Sequence, residues 1–291
     1  MSIILKLVIG ALMIGSVYGV LGMGYSLIYK ATGLMNLAQG DFMMFGAFIG
    51  LTFYKYLGLP IFAAFILTFI VMFFLGFFVH RYLISTLLKK GAAFAYVILC
   101  TAAVSMILQN TAMLSWTSSI MQFPSIFSAS SVSFLGIQVA PESLLVLSIA
   151  IVCTFLLYFF LNKTKFGTAM RASALDQTAA SALGINVSLT KGVTWGLAAG
   201  LAGIIGAALG PVYGVYFTMG ALIGQKAFAG AVAGGYGNIY GALVGGMFFG
   251  FMETFISAFL TTRYKDVISF GILILVMMIL PTGIFKEKVL E

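Results

Sequence analysis

The sequence predicts an all-α membrane protein, a polytopic helix bundle of about eight spans that forms one transmembrane domain over residues 1–291, with some helices short or broken. Three observations carry this prediction. Hydrophobic residues make up 62% of the 291 and charged residues 8%, at a mean hydropathy of +1.14. A soluble domain carries roughly 25% charged residues, so this composition cannot cover a water-facing surface. The apolar runs are long enough for spans of about 20 residues and lack the period-two alternation of barrel strands. Helices then satisfy the backbone in lipid. Finally, the basic residues stand at the ends of apolar runs, where headgroups and the positive-inside rule account for them. The net charge of +8 therefore implies a membrane surface and excludes nucleic acid as a partner.

Other chemistry is bounded as firmly. Cys100 and Cys153 lie inside apolar runs, which argues against a disulfide framework. His80 precedes Arg81 at a run end without ligating companions, so no metal and no cofactor are expected. No GxxxxGK[ST] phosphate loop occurs, so ATP hydrolysis is not expected of this chain. No Ser/His, paired-Asp or His/Glu constellation for an intramembrane enzyme is present either.

The first run, Ile3–Tyr29, reads as a retained span rather than a removed signal. Its Gly10, Gly15, Gly19, Gly22 and Gly24 recur at the small-residue spacing that lets helices approach closely in lipid. In Lys30–Gly50 the residues Asn36, Gln39, Gly40 and Asp41 stand at the head of a new apolar run, Phe42–Phe53. This predicts a short or broken helix capped by Asn36 or Asp41. Such a helix either starts within the membrane and lines a substrate path, or these residues are ordinary caps at the water interface.

Leu59–Val79 and Phe94–Leu114 are spans flanking the basic stretch His80–Gly91, and Ser115–Glu142 is a Ser-rich loop with Pro124 and Pro141 and no Lys or Arg. Leu144–Leu161 crosses back to a second basic stretch, Asn162–Lys191. Two spans separate the basic stretches, so both lie on one side, and positive-inside makes that side cytoplasmic.

Asn162–Lys191 is the longest polar break in the chain and carries Lys163, Lys165, Arg171 and Lys191 against the one acid Asp176. Asp176 is placed to N-cap a short helix over Gln177–Leu183, with Gly184 in the left-handed C′ position and Ile185 making the accompanying apolar contact. About two turns cannot be stable alone. The face of Ala179, Ala180 and Leu183 therefore needs a surface to pack on, either the chain's own membrane domain or a groove on a partner.

Gly192–Leu209 is a Gly/Ala-rich span, and Pro211–Gly224 reads equally as an external loop or a short crossing. Lys226–Leu260 is interrupted at Gly234, Gly235, Tyr236, Gly237 and Asn238, which predicts a break in mid-membrane. Glu253 is an acid within an apolar run and is expected to be functional or paired, unless it sits at an interface. Val267–Leu280 is the last span, closed by Pro281, Thr282 and Gly283. Asn36–Gly50 and Ala227–Gly250 each place a polar or Gly interruption before a GA-containing apolar run, which suggests inverted repeats with a binding path between them.

The stretches Gly33–Gly50, Gly167–Ile185, Lys226–Gly246 and Leu280–Phe285 together resemble the LivH-type permeases of bacterial branched-chain amino-acid ABC importers. The resemblance follows the family's order along nearly the whole chain. It implies a subunit of the bacterial cytoplasmic membrane that pairs with a LivM-like permease. It also implies two cytosolic ATP-binding subunits and an extracytoplasmic amino-acid-binding protein that delivers leucine, isoleucine or valine. The family's loop pattern is matched by Arg171, Ala172, Ala174, Asp176, Ala179, Ala180, Leu183, Gly184 and Ile185, which makes this the coupling helix. Where many relatives have a histidine before the glycine, this chain has Gln39, so a proton at that position is not expected in the mechanism. The expected path comprises Asn36, Gln39, Gly40, Asp41, Gly234, Gly235, Gly237, Asn238 and Glu253. The competing class is a self-sufficient secondary transporter or channel with Asp41 or Glu253 as a proton-coupling carboxylate.

Overall fold

The computed structural model describes residues 2–124, 126–127, 131–134, 137–260, 262–280 and 282–285. Pro281 and the charged tail 286–291 lie outside the described residues. In chain order the helices are α1 (Ser2–Thr32), α2 (Gln39–Leu51), α3 (Ile61–Phe78), α4 (Ser85–Lys89), α5 (Phe94–Ser115), α6 (Pro141–Lys163), α7 (Lys165–Leu175), α8 (Gln177–Ala182), α9 (Val187–Tyr213), α10 (Met219–Gly235), α11 (Ile239–Phe259) and α12 (Lys265–Ile279). Two π-helical stretches, Thr52–Tyr56 and Val79–Ile84, continue α2 and α3. A small antiparallel hairpin, β1 (Val132–Phe134) and β2 (Ile137–Val139), pairs Val132 with Val139 in the loop after α5. Among the described residues six helices are long and apolar enough to cross a membrane: α1, α3 with its π-helical and α4 continuation, α5, α6, α9 and α11. The shorter α2, α10 and α12 complete the bundle.

The two ends of the bundle are chemically distinct. Arg81 donates to Ser188 Oγ at 3.0 Å, which places the two basic stretches at one end. At the far end, Met121 and Val215 form an isolated bridge, and Val139 packs on Ile9 near the start of α1. The chain therefore enters α1 at the far end and leaves it at the basic end. The segment 282–285 also lies at the basic end, where the Ile284 and Phe285 amides donate to the carbonyls of Ala233 and Gly234.

Of the glycines expected to allow close approach in α1, Gly15, Gly19, Gly22 and Gly24 do so and Gly10 meets open space. Gly15 and Gly19 of α1 pack against Gly250 and Gly246 of α11, and such flush backbones gain van der Waals contact that lipid cannot supply. On α9, Gly192, Gly196 and Gly200 receive the rings of Phe77, Phe73 and Phe69 from α3. This is ridge-into-groove packing, with large side chains on one helix and small on the other. The helix α9 is buried along most of its length, including Trp195.

Two expectations are corrected here. Gly234–Asn238 is not a break in mid-membrane. It is the end of α10 and the turn into α11 at the basic end, with Gly235 and Gly237 at φ +110° and +100° and Asn238 capping α11 through the Tyr240 and Gly241 amides. The reason is that α10 starts earlier than polarity suggests, at Met219, so Lys226 lies inside a helix rather than at the head of one. The repeat is consequently α1–α2–α3 against α9–α10–α11. The helix α2 packs on α9 while α10 packs on α1, and α3 packs on α9 while α11 packs on α1. The counterpart of α2 is α10, not the stretch following Gly237.

Candidate functional site

The helix α2 begins inside the bundle. After α1 ends at Thr32 the chain turns back without helix over 33–38, and Gln39 Nε2 donates to the carbonyl of Ala198 at 2.9 Å. Ala198 lies about 10 Å along α9 from Lys191, the last residue of the basic stretch, at 1.5 Å rise per residue, so α2 starts within the apolar part of the bundle and not at its edge. Neither expected side chain caps the helix. The N-cap is Ala38, with no side-chain acceptor. Asn36 Oδ1 instead accepts from the Ala38 amide at 3.1 Å, holding the turn one step earlier, and its Nδ2 lies 3.4 Å from Gln39 Oε1. The Leu37 amide donates to Thr101 Oγ1 of α5 at 3.2 Å. The Leu37 and Ala38 amides of the turn ahead of α2 are thus met by side chains, whereas the first amides of the helix itself have no side-chain cap.

Asp41 sits in the first turn of α2 and is buried. Its carboxylate accepts from Ser105 Oγ at 2.5 Å and from Gln109 Nε2 at 2.9 Å, both on α5 and one helical turn apart. No Lys or Arg bonds it among the described contacts. Its remaining neighbour is the start of α10. Gly40 and Gly220 meet backbone to backbone, and a Cβ on Gly220 would lie 2.9 Å from Asp41 Oδ1. Two helix N-termini, those of α2 and α10, therefore converge on this carboxylate, and their partial positive ends favour an anion there. Tyr25 Oη donates to the Gly224 carbonyl at 3.3 Å and ties the first turns of α10 to α1.

The structure brings Asn36, Gln39, Gly40 and Asp41 together and adds Thr101, Ser105 and Gln109, which sequence reading did not single out. Their signal was faint: Thr101, Ser105 and Gln109 recur every fourth residue on one face of a mainly apolar helix that also carries Asn110, Thr111 and Ser115. Gly234, Gly235, Gly237 and Asn238 lie apart from this junction, at the basic end. Glu253 also lies apart, in an ion cluster. Lys226 Nζ is 2.6 Å from Glu253 Oε1 and 2.8 Å from Asp266 Oδ1, and Lys265 Nζ is 3.2 Å from Glu253 Oε1. Tyr18 Oη donates to Glu253 Oε2 at 2.7 Å. The cluster closes on itself with two cations and two anions and joins α1, α10, α11 and α12.

The second candidate surface is at the basic end. The helix α7, capped by Thr164 Oγ1 accepting from Gly167, leads into α8. Asp176 caps α8 by accepting from the Thr178 and Ala179 amides at 2.8 and 3.0 Å. At its C-terminus the Ile185 amide donates to the Ala180 carbonyl and the Gly184 amide to that of Ser181, the two bonds of a Schellman end. Gly184 holds φ +81°, a conformation that costs glycine no Cβ clash. The face expected to be apolar divides in two. Ala180 is buried against the protein, whereas Leu183 is 80% exposed and Leu175 72% exposed, with Ala179 also exposed. Lys191 donates to Gln177 Oε1 at 2.7 Å and pins α8 to α9. Arg171 points to Asn162 Oδ1 at 3.1 Å rather than outward along α8.

Over residues 7–277 the sequence matches the family described as branched-chain amino acid transport system / permease component. It is 33% identical over 194 residues to the high-affinity branched-chain amino acid transport system permease protein BraD of Pseudomonas aeruginosa, covering 62% of each chain. It is 30% identical to the probable branched-chain amino acid transport permease protein LivH of Methanocaldococcus jannaschii, covering 62% of this chain and 58% of that one. Both matches thus span less than two thirds of those relatives. With the high-affinity LivH permease protein of Escherichia coli K12 the identity is 31%, over 96% of this chain and 94% of the other.

Proposed function

Because the chain belongs to the branched-chain amino acid transport system permease family, we propose that it is the membrane-spanning permease subunit of an ATP-driven importer of branched-chain amino acids. The observation that carries this reading is a family match that runs through nine-tenths of the sequence, residues 7–277. The permease does no covalent chemistry. Hydrolysis belongs to two cytosolic ATP-binding subunits, an extracytoplasmic binding protein delivers the solute, and a LivM-like permease pairs with this one in the bacterial cytoplasmic membrane.

The geometry supports a division of labour. The junction of α2 and α10 supplies a place for a zwitterion: Asp41 for the ammonium, and the amide-bearing starts of the two half-helices for the carboxylate. Apolar walls on α2 and α9 suit the aliphatic side chain. Asp41 is buried in this conformation, so the path is shut at that level and opens only if α5 or α10 moves away from α2. The rigid α7–α8 pair supplies the lever. Leu175, Ala179 and Leu183 present an apolar edge in water, which fits a groove on an ATP-binding subunit. Asp176 and Gly184 set the ends of α8, Ala180 and Ile185 hold it to the protein, and Arg171 fixes α7.

The test is co-purification with the ATP-binding subunits, comparing wild type with Leu183→Asp. This side chain is exposed and bonds nothing in the protein, so the variant keeps its thermal stability. The reading predicts loss of the ATP-binding subunits from the variant alone. Their retention at wild-type level would remove α8 from the coupling surface, and their absence from wild type as well would sink the importer itself. A proton-coupled transporter using Glu253 is disfavoured by the two lysines already bound to that carboxylate.

A further inference from the structure

At the basic end, α1, α6, α7, α9 and α11 enclose a cavity of about 110 Å³. Arg171 and Lys30 line it together with Asn162, Asn238, Tyr240 and Thr194, and among the described residues no carboxylate lines it. Its polar groups are already ordered. Asn162 Nδ2 donates to Tyr240 Oη at 2.7 Å and to the Tyr158 carbonyl at 3.0 Å, while Asn162 Oδ1 accepts from Arg171 at 3.1 Å. That single bond occupies one of the five N–H donors of the guanidinium. Arg171 lines a cavity whose volume suits a phosphate-sized oxyanion.

What adjoins the cavity identifies the class of oxyanion. Tyr158 of α6 and Tyr240 of α11 meet at its edge in a tilted pair, ring centroids 5.9 Å apart. From there two apolar ridges run toward the membrane centre: Phe155 and Ile151 on α6, Val244 and Phe248 on α11, all exposed at helical spacing. Both helices pack on α1, which lies buried behind them. A pair of tyrosines at headgroup depth, a basic polar pocket on the cytoplasmic side and an apolar crevice below match the parts of a phospholipid in order.

We propose that this is a binding site for an anionic phospholipid of the cytoplasmic leaflet, with the phosphate in the Arg171 pocket and the acyl chains along the α6–α11 crevice. Its occupant bridges α7 to the ends of α1 and α11, so it stiffens the base of the α7–α8 lever. The site does not depend on the solute or on the ATP-binding subunits.

The experiment purifies the full chain from vesicles containing equal phosphatidylglycerol and phosphatidylcholine, and measures the lipid retained by native mass spectrometry. Wild type, Arg171→Gln, Asn162→Ala and Arg81→Gln are compared. Arg81 is a cation at the same end that bonds Ser188 outside the cavity, so its variant reports bulk electrostatics. Wild type should retain phosphatidylglycerol over phosphatidylcholine. Arg171→Gln should lower that retention about fivefold, the factor that about 1 kcal/mol per cation represents. Asn162→Ala should lower it in the same direction, and Arg81→Gln should leave it unchanged. Equal loss in Arg81→Gln, or no preference for phosphatidylglycerol in wild type, would overturn the proposal. A parallel arm adds inorganic phosphate to delipidated protein. Thermal stabilisation by millimolar phosphate that matches that of the lipid, and is lost in Arg171→Gln, would assign the pocket to a soluble anion and overturn the lipid assignment.

Discussion

Replacing Lys226 by methionine removes the centre of the buried ion cluster while keeping the length and apolar stem of the side chain. Lys226 is 2% exposed and touches both Glu253 and Asp266. Breaking a buried pair from one side costs about 3–5 kcal/mol, because the other charge is left without compensation. Two features move the expected cost to the low end of that range. Lys265 still reaches Glu253 at 3.2 Å, and Tyr18 still donates to it at 2.7 Å. Asp266 is 43% exposed at its side chain and is rehydrated cheaply, since exposed pairs contribute about 0–1 kcal/mol. A loss of about 3 kcal/mol is therefore expected, which corresponds to a fall in Tm of about 6–12 °C for a chain of this size. The control is the double variant Lys226→Met/Glu253→Leu. Removing both charges is close to neutral in other buried pairs, so the double variant should recover most of the lost stability. The assay is thermal unfolding in one detergent, followed by intrinsic fluorescence, over the full double-mutant cycle. A single variant within about 2 °C of wild type, or a double variant no better than the single, would refute the reasoning that burial makes this pair interdependent.

Further expectations follow from the junction and the lever. Asp41→Ala should reduce uptake about 10- to 100-fold, the range set by a charge-assisted bond worth 1.5–3 kcal/mol, measured with labelled leucine in cells lacking the wild-type chain. Gln109→Leu should lower Tm by a few degrees by removing a donor from the buried carboxylate, and unfolding in detergent reads it directly. Gly46→Leu places a side chain against the backbone of Gly203, and the overpacking should cost about 1–3 kcal/mol or prevent folding altogether, as judged by yield and monodispersity. Asp176→Ala should loosen α8 by about 1 kcal/mol and raise amide exchange at Thr178 and Ala179 while the rest of the chain is unaffected.

Where information was local, sequence reading reached the structure. Asp176, Gly184 and Ile185 specify both ends of α8 because caps are written within a few residues of the helix they end. The composition and the spacing of glycine on α1 and α9 likewise prescribe close-packed membrane helices. The start of α2 was legible as a polar interruption, but its cap was not, because Asn36 closes a turn outside the helix instead of its first turn. The long-range partners were out of reach. Ser105 and Gln109 meet Asp41 across more than sixty residues of chain, and each is an ordinary polar residue in its own span. Lys226 was masked by its position: polarity suggested a helix head there, whereas α10 begins at Met219 with a turn that carries no charged or capping side chain. That displacement also moved the glycine turn Gly234–Gly237 from the predicted mid-membrane level to the basic end.

The most direct measurement is leucine flux into proteoliposomes holding either this chain alone or the chain with its partner permease and ATP-binding subunits, with ATP inside or absent and with or without a proton gradient. The account predicts no flux from the chain alone under any gradient, and ATP-dependent accumulation only in the complete assembly supplied with binding protein. Gradient-driven leucine flux through the chain alone would contradict it and make Asp41 the carboxylate of a self-sufficient transporter.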